Sequence, residues 1–267
     1  MLSWRMTAAR DFSTISPSAH SLLVMRAQTG LPFARPAAEL LLGADGVAAE
    51  IERLSAIAGA ELWMRHFAER YRSTDALLAE SGATRILEIA GGMSFRGLAL
   101  AQRQAVSYVD TDLPAMIEAK ARIVAALAPG PLVGELRLEP LDALDPGAFA
   151  AAVELLPPGD IAIVNEGLLM YLDPDEKRRL ASNVRAALAA RGGRWITADV
   201  YLRGARDPRI GQDDRLRAFL AAHRVEEQKF ESLAAAEAFF TETGFVVQRR
   251  HARGDDAIRE TWVVAPR

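Results

Sequence analysis

Arg85-Ile86-Leu87-Glu88-Ile89-Ala90-Gly91-Gly92-Met93-Ser94 is a short β-rich run that closes on a pair of glycines, and an amphipathic helical window, Phe95–Arg103, follows it directly. A strand, a tight turn and a helix in immediate succession form the first half of a parallel βαβ unit. The same alternation continues downstream. Ala105–Asp110 precedes Pro114–Ala128, Leu132–Leu141 precedes Pro146–Leu156, and Asp160–Glu166 precedes Pro174–Ala190, with Arg194–Val200 as a fifth strand. Strands spaced in this way predict a parallel sheet with right-handed crossovers. After a polar segment at about 203–230 and a helix over Leu233–Thr243, the rhythm changes. Phe245–His251 and Ile258–Ala265 are strand-like and joined only by a short loop carrying Gly254, Asp255 and Asp256, so they predict an antiparallel hairpin at one edge. The plan is α/β, with five parallel strands plus a terminal hairpin, seven in all.

Upstream of Thr84 the pattern is helical: Ser18–Gln28, Ala37–Leu42, Val47–Ala58 and Ala60–Leu78, broken at Gly30-Leu31-Pro32 and at Gly43. In the last of these, Trp63, Phe67 and Tyr71 recur at i+4 and mark its buried face. No internal repeat or low-complexity linker divides the chain. Residues 1–80 are therefore expected to be a helical cap on the same domain as a core over 81–267, with the insertion at about 203–230 inside it.

Composition narrows the chemistry. With 32 Lys+Arg against 35 Asp+Glu, the net charge of -3 supplies no global basic field for nucleic acid or an anionic membrane. The absence of cysteine excludes disulfides, thiolate nucleophiles and Cys-based metal sites. Four histidines without His-x-x-x-His spacing give no reason to expect a metal. The first twelve residues, MLSWRMTAARDF, lack an apolar signal core, and no apolar run reaches 18 residues, so a cytoplasmic protein without a membrane span is expected.

Polar or small elements end four successive strands. Ala90, Gly91 and Gly92 close the first, where small residues allow close backbone approach to a ligand and the helix start offers unpaired N–H groups. Asp112 lies 20 residues beyond Gly92 and suits the hydroxyls of a ribose, although it also sits where it would cap the helix opened by Leu113-Pro114. Asp110, two residues earlier on the same strand face, is the fallback for that contact. Asp142 with Ala143 ends the third strand, where it would read an adenine or simply cap a loop. Asn165 and Glu166 end the fourth and face the ligand crevice of such a sheet.

These residues resemble the class I S-adenosylmethionine-dependent methyltransferases, and within them the leucine carboxyl methyltransferase family with its bacterial O-methyltransferase relatives. The resemblance rests on Glu88 through Arg96, on Asp112-Leu113-Pro114 with Lys120 downstream, on Asp142-Ala143-Leu144, and above all on Asn165-Glu166-Gly167-Leu168-Leu169-Met170-Tyr171-Leu172. Arg70-Tyr71-Arg72-Ser73-Thr74-Asp75 and Ser16-Pro17-Ser18-Ala19-His20 extend it over nearly the whole chain. It implies a Rossmann-like seven-stranded methyltransferase sheet and S-adenosyl-L-methionine as cofactor. Carried over, Ala90, Gly91 and Gly92 would lie against the methionine part, Asp112 would hold the ribose and Asp142 with Ala143 the adenine. Glu88, Asn165 and Glu166 fall among the cofactor-side positions, and Arg70 or Arg72 would pair with the methionine carboxylate, which suits a guanidinium fork. The chain departs from the family where Ala90 replaces a glycine, which is tolerable if φ there is negative, and where Ser94-Phe95 replaces Asp-Thr.

For the acceptor, the resemblance implies an oxygen, either a carboxylate or a hydroxyl, on a small molecule or a peptide end. A carboxylate is already ionised at pH 7 and needs no base. Tyr171 and Tyr201 are the candidate hydroxyl donors for recognising a carboxylate acceptor, and His66, one helical turn from Arg70, is the candidate base if the acceptor is instead a phenol or alcohol. The segment Arg203–Phe230 and the N-terminal helices are expected to cover the pocket and select the acceptor. Two alternatives remain at this point, a nicotinamide-dependent oxidoreductase and a non-catalytic binding module on the same fold. The glycine pattern is not Gly-x-Gly-x-x-Gly and no Tyr is followed by Lys at +4, which argues against the first.

Overall fold

The computed structural model describes residues 22–57, 59–128, 130–204, 214–252 and 258–267. Helix α1 is described over 22–26, followed by α2 (Ala34–Ser55) and α3 (Ala60–Ser81). The core then runs β1 (Arg85–Ile89), α4 (Arg96–Arg103), β2 (Ser107–Asp112), α5 (Pro114–Leu127), β3 (Glu135–Pro140), α6 (Pro146–Glu154), β4 (Ile161–Asn165), α7 (Pro174–Arg191) and β5 (Gly193–Tyr201). Helices α8 (Asp214–Ala222), α9 (Val225–Gln228) and α10 (Leu233–Glu242) precede β6 (Phe245–Ala252) and β7 (Arg259–Pro266). The seven strands form one sheet in the order β3-β2-β1-β4-β5-β7-β6, with β1 to β5 parallel and the last two antiparallel. The expected plan is present, and β7 rather than β6 pairs with β5.

The alternation of side chains along each strand divides the core into two layers. Leu87, Ile89, Ile163 and Trp195 pack with Leu180, Val184, Phe240 and Trp262 on the face covered by α7 and α10. Ile86, Tyr108, Ala162, Val164 and Ile196 pack with Leu77, Leu78 and Ala101 on the face covered by α3 and α4. Helix α2 shares a third cluster with Tyr71, Met93, Phe95, Met116 and Ile123, which seats the N-terminal helices over the glycine turn. On α3, Trp63 and Tyr71 are buried as its periodicity predicts, while Phe67 is half-buried.

Two expectations change. The separate helices over Ala37–Leu42 and Val47–Ala58 are one kinked helix, because Gly43 (φ 74°, ψ 159°) turns the chain without ending it. The polar insertion contains α8 and α9, anchored where buried Lys177 of α7 donates to the Gln228 carbonyl and lies 5.0 Å from the Phe230 ring centre. Ser16–His20 and the Gly254–Asp256 loop lie outside the described residues.

Candidate functional site

The strand order reverses between β1 and β4, and open α/β sheets bind ligands beyond the carboxyl ends of the strands at that point. Ile89 is in register with Asn165, so Ala90 and Glu166 leave the sheet side by side. The turn after β1 is held by its own backbone and by β2: the Gly91 N–H donates to the Thr111 carbonyl (2.9 Å) and the Gly92 N–H to Asp112 Oδ2 (2.7 Å). Asp112 Oδ1 accepts from the Leu113 N–H (2.7 Å), so this carboxylate clamps the turn and the start of α5 together. Glycine is required at 91 because an added Cβ would lie 2.4 Å from Asp110 Oδ1. The condition for an unstrained alanine at 90 is not met: φ is 53°, the left-handed region that an L side chain enters only at a cost.

Asp110, the fallback for the ribose, is turned the other way. It is buried and pairs with the buried Lys120 ammonium (2.5 Å) beneath the glycine turn. Burial, opposed by Lys120, pushes the Asp110 carboxyl up to about 7.

Across the turn, Glu166 collects three guanidinium groups. Arg26 from α1 and Arg70 from α3 both reach Oε1, and Arg96 from α4 reaches Oε2 (2.9 Å). Arg96 also pairs with Glu88 and Asp75, and its guanidinium stacks 4.2 Å from the centre of the Tyr71 ring. Three cations and three carboxylates thus close a neutral network that is buried except at Asp75, whose side chain is 42% exposed. Burial alone would raise the Glu166 pKa, but Arg26, Arg70 and Arg96 outweigh it and hold the group well below the usual carboxylate range. Gly167, with φ 81°, brings the chain past Arg70.

Arg70 extends the network to the end of β5. Its Nη1–H donates to Tyr201 Oη (3.0 Å), and His66 Nε2 lies 2.9 Å from the same oxygen. His66 and Tyr201, nominated separately by sequence, are therefore brought together on Arg70. The register of β5 against β7 slips between Thr197 and Val200, which marks a β-bulge. The extra residue reverses the facing of the strand's end: Val200 packs in the cluster that holds Trp195, so Tyr201 turns to the α3 side. Within the bulge, Asp199 accepts from Asn165 Nδ2 (2.6 Å) and from the backbone N–H groups of Gly167, Leu168 and Leu169. It holds the loop after β4 in place, and no motif in the sequence points to it.

The other nominated residues take up separate positions around the strand ends. Arg72 is exposed and donates to the Thr29 carbonyl (2.7 Å), because two residues along a helix is about 200° round from Arg70. Glu88 is enclosed, with Oε2 accepting from the Tyr108 hydroxyl (2.8 Å) and Oε1 paired with Arg96. Asn165 is buried and bridges Trp195 Nε1 (2.6 Å) and Asp199. Asp142 is exposed and accepts from the Leu144 N–H (2.9 Å) at the end of β3, with Ala143 half-buried beside it. Tyr171 stacks edge-on to Phe219 and His223 of the insertion, 6.3 and 6.4 Å between ring centres. Arg26, Asp75 and Arg96 were not assigned roles from sequence. Arg26 carried a signal, a cation directly after the apolar run Leu22-Leu23-Val24-Met25. Among the described residues no group of His, Asp or Glu could hold a metal, and no helix is long and apolar enough to cross a membrane.

The residues present fit S-adenosyl-L-methionine. Arg26 Nε is buried with no hydrogen-bond partner among the described residues, and with Arg70 it offers guanidinium donors for an amino-acid carboxylate. Asp112 stands half-buried at the other side of the turn, where a ribose would lie.

Comparison with known proteins agrees with this geometry. A 34% identical stretch of 131 residues, 49% of this chain, matches a protein of Mycobacterium sp. (strain JLS) that carries the name S-adenosyl-L-methionine-dependent methyltransferase. It spans 43% of that relative, so the chain covers under half the length of such relatives. Two solved structures share the fold. The N,N-8-amino-8-demethyl-D-riboflavin dimethyltransferase RosA of Streptomyces davawensis superposes with a TM-score of 0.52 over 96% of this chain and 70% of its own, at 18% identity. The mitomycin 7-O-methyltransferase MmcR gives 0.51 over 93% and 67%, at 15% identity. Neither the nicotinamide nor the non-catalytic alternative is favoured by these matches. The family model for leucine carboxyl methyltransferase matches residues 19–185, well over half of the chain. The chain belongs to the leucine carboxyl methyltransferase family, and its cofactor is S-adenosyl-L-methionine.

Proposed function

We propose that the protein is a cytoplasmic O-methyltransferase that moves a methyl group to an oxygen, carboxylate or hydroxyl, of a small molecule or a peptide end. The observation that carries this reading is the meeting of Arg70, Glu166 and the Ala90–Gly92 turn at the β1/β4 switch point, with Tyr201 one hydrogen bond from Arg70. S-adenosyl-L-methionine, when bound, supplies a sulfonium-activated methyl. Methyl transfer is an in-line displacement, so the protein's main task is to align acceptor and donor, which is worth up to about 7–11 kcal/mol in favourable cases.

The chain's own residues meet that requirement in distinct ways. Arg70 and Arg26 would hold a carboxylate, Asp112 would hold the ribose hydroxyls, and Asp142 with the Ala143 backbone would take the adenine. Asp199 fixes the loop that carries Glu166, Leu168 and Leu169. Helices α8 and α9 lie beside Tyr171 and supply the cover over the acceptor.

Isothermal titration with S-adenosylmethionine, its demethylated product and NAD tests the cofactor side, and binding of NAD alone refutes the reading. Transfer of a labelled methyl to carboxylate and phenol acceptors tests the rest. Methyl esters release methanol in mild alkali and methyl ethers do not, so the lability of the label distinguishes the two acceptor classes. Label found on nitrogen or carbon refutes O-methylation.

A further inference from the structure

We propose that Tyr201 and His66 form a proton-accepting pair and that the acceptor oxygen is therefore a hydroxyl of phenol or enol type rather than a carboxylate. This rests on the O-methyltransferase reading above and specifies its acceptor.

The argument begins with hydrogen-bond direction. Arginine has only donors, so the Arg70 Nη1–H must donate to Tyr201 Oη (3.0 Å). The hydroxyl proton is left to point at His66 Nε2, 2.9 Å away, or at a ligand. Both rings are buried, at 7% and 4% exposure, so the pair is shielded from bulk water. The ring planes are tilted with centres 5.8 Å apart, and the Phe67 ring lies T-shaped to the imidazole with centres 5.2 Å apart. Charged groups facing the phenol act in both directions. Burial pushes its pKa up, Arg70 and Arg259 pull it down, and Asp199 opposes them. A tyrosine bonded to a guanidinium on one side and an imidazole on the other is arranged to pass a proton along that line.

The bulge in β5 strengthens this reading. Without the slip between Thr197 and Val200, strand alternation would send Tyr201 to the α7 face with Trp195. The irregularity places the hydroxyl beside Arg70, at the pole proposed for the methionine carboxylate. A carboxylate acceptor has no proton to lose, so it would not use this arrangement. A phenol or enol would.

In the step itself, the acceptor oxygen forms its new bond to the methyl carbon as the carbon–sulfur bond breaks, and that electron pair stays on sulfur. The acceptor's proton passes to Tyr201 Oη while the tyrosine's own proton moves to His66 Nε2. The products are an ether, a neutral thioether and a protonated imidazole, so atoms and charge balance. Tyr201 touches the acceptor, and His66 acts through it.

The test uses methyl 4-hydroxybenzoate, which has a phenol and no free carboxylate, against benzoate. Wild type should methylate the phenol, giving alkali-stable label, with a rate that rises with pH and then levels. Tyr201→Phe and His66→Gln should lower kcat by about 100-fold or more, with KM little changed, and His66→Gln should lose the pH step. Binding of the demethylated cofactor by both variants should stay within about threefold of wild type, which separates loss of proton transfer from misfolding. Methylation of benzoate in preference, or a His66→Gln enzyme with unaltered kcat and pH profile, overturns the proposal. Where neither probe is turned over, the imidazole resonances of His66 in the product-cofactor complex decide the matter. Their displacement by the phenol but not by benzoate supports the pair, and their indifference to the phenol at its solubility limit overturns it. Failure of the protein to bind either cofactor form would instead refute the underlying methyltransferase reading.

Discussion

Glu166→Gln removes one negative charge from a buried network while preserving the shape of the side chain. In the native protein Arg26, Arg70 and Arg96 are balanced by Asp75, Glu88 and Glu166, and Glu166 is the member that touches all three arginines. The variant leaves a net positive charge among groups of which only Asp75 keeps substantial contact with water. Breaking a buried ion pair on one side costs about 3–5 kcal/mol. With a urea m-value near the top of the usual range, about 3 kcal/mol/M, the unfolding midpoint should fall by about 1–1.7 M. Circular dichroism on both proteins at pH 7 gives the comparison. The acid limb supplies a second check. Glu166 is held below its unfolded pKa of 4.5, so its contribution is present above that value and is lost as pH falls below it. Glu166→Gln should therefore lack that part of the acid-induced loss. Adding Arg26→Met should recover part of the cost, because the unpaired cation is then removed as well. A midpoint within about 0.3 M of wild type, corresponding to under about 1 kcal/mol, would show that the arginines do not depend on this carboxylate.

Other perturbations address the turn after β1. Asp112→Ala should weaken binding of the demethylated cofactor by at least about tenfold, or 1.4 kcal/mol, in isothermal titration, and unchanged affinity refutes the ribose assignment. Ala90→Gly relieves a left-handed alanine (φ 53°), and should be neutral or stabilising by up to about 1 kcal/mol. Its neighbour Gly91→Ala should instead cost about 1–3 kcal/mol, since its Cβ meets Asp110. Equal effects at the two positions in chemical denaturation would contradict the geometry. Asp110, with its pKa raised from 3.8 to about 7, contributes stability that is present below its unfolded value and is lost as pH rises through 7. Lys120→Met removes the counter-charge and should steepen that loss, measured as the change in urea midpoint from pH 5 to pH 8; parallel midpoints in the two proteins would refute it.

The parts of the molecule that follow from periodicity were legible in the sequence. The strands β1 to β5, the helices between them and the terminal hairpin all appear within a few residues of their expected bounds, because apolar alternation and the capping prolines at 114, 146 and 174 are local signals. The glycine turn and Asp112 were legible for the same reason. The arginine network was not. Arg26 and Glu166 are separated by 140 residues and meet only because α2 and α3 pack α1 over the turn. Arg72 illustrates the limit of motif transfer, since Arg70 and Arg72 are equivalent as letters in a motif and are on opposite sides of a helix in space.

The bulge in β5 marks where local reasoning fails and where the chemistry is placed. Strand alternation assigns a facing to every residue from Gly193 to Tyr201, and that assignment is right for Trp195 and Ile196, which go to opposite layers. One extra residue beyond Thr197 reverses it, so that Val200 joins the layer of Trp195 and Tyr201 meets His66 and Arg70. The same irregularity turns Asp199 to the N–H groups of Gly167, Leu168 and Leu169, which otherwise would be left without acceptors near the sheet end. A regular β5 would therefore lose two things together, the anchor for the loop carrying Glu166 and the hydroxyl beside Arg70. That shared dependence ties the acceptor side of the site to the cofactor side through a single backbone feature, and it explains why no spacing rule along the chain could have located Tyr201's partner.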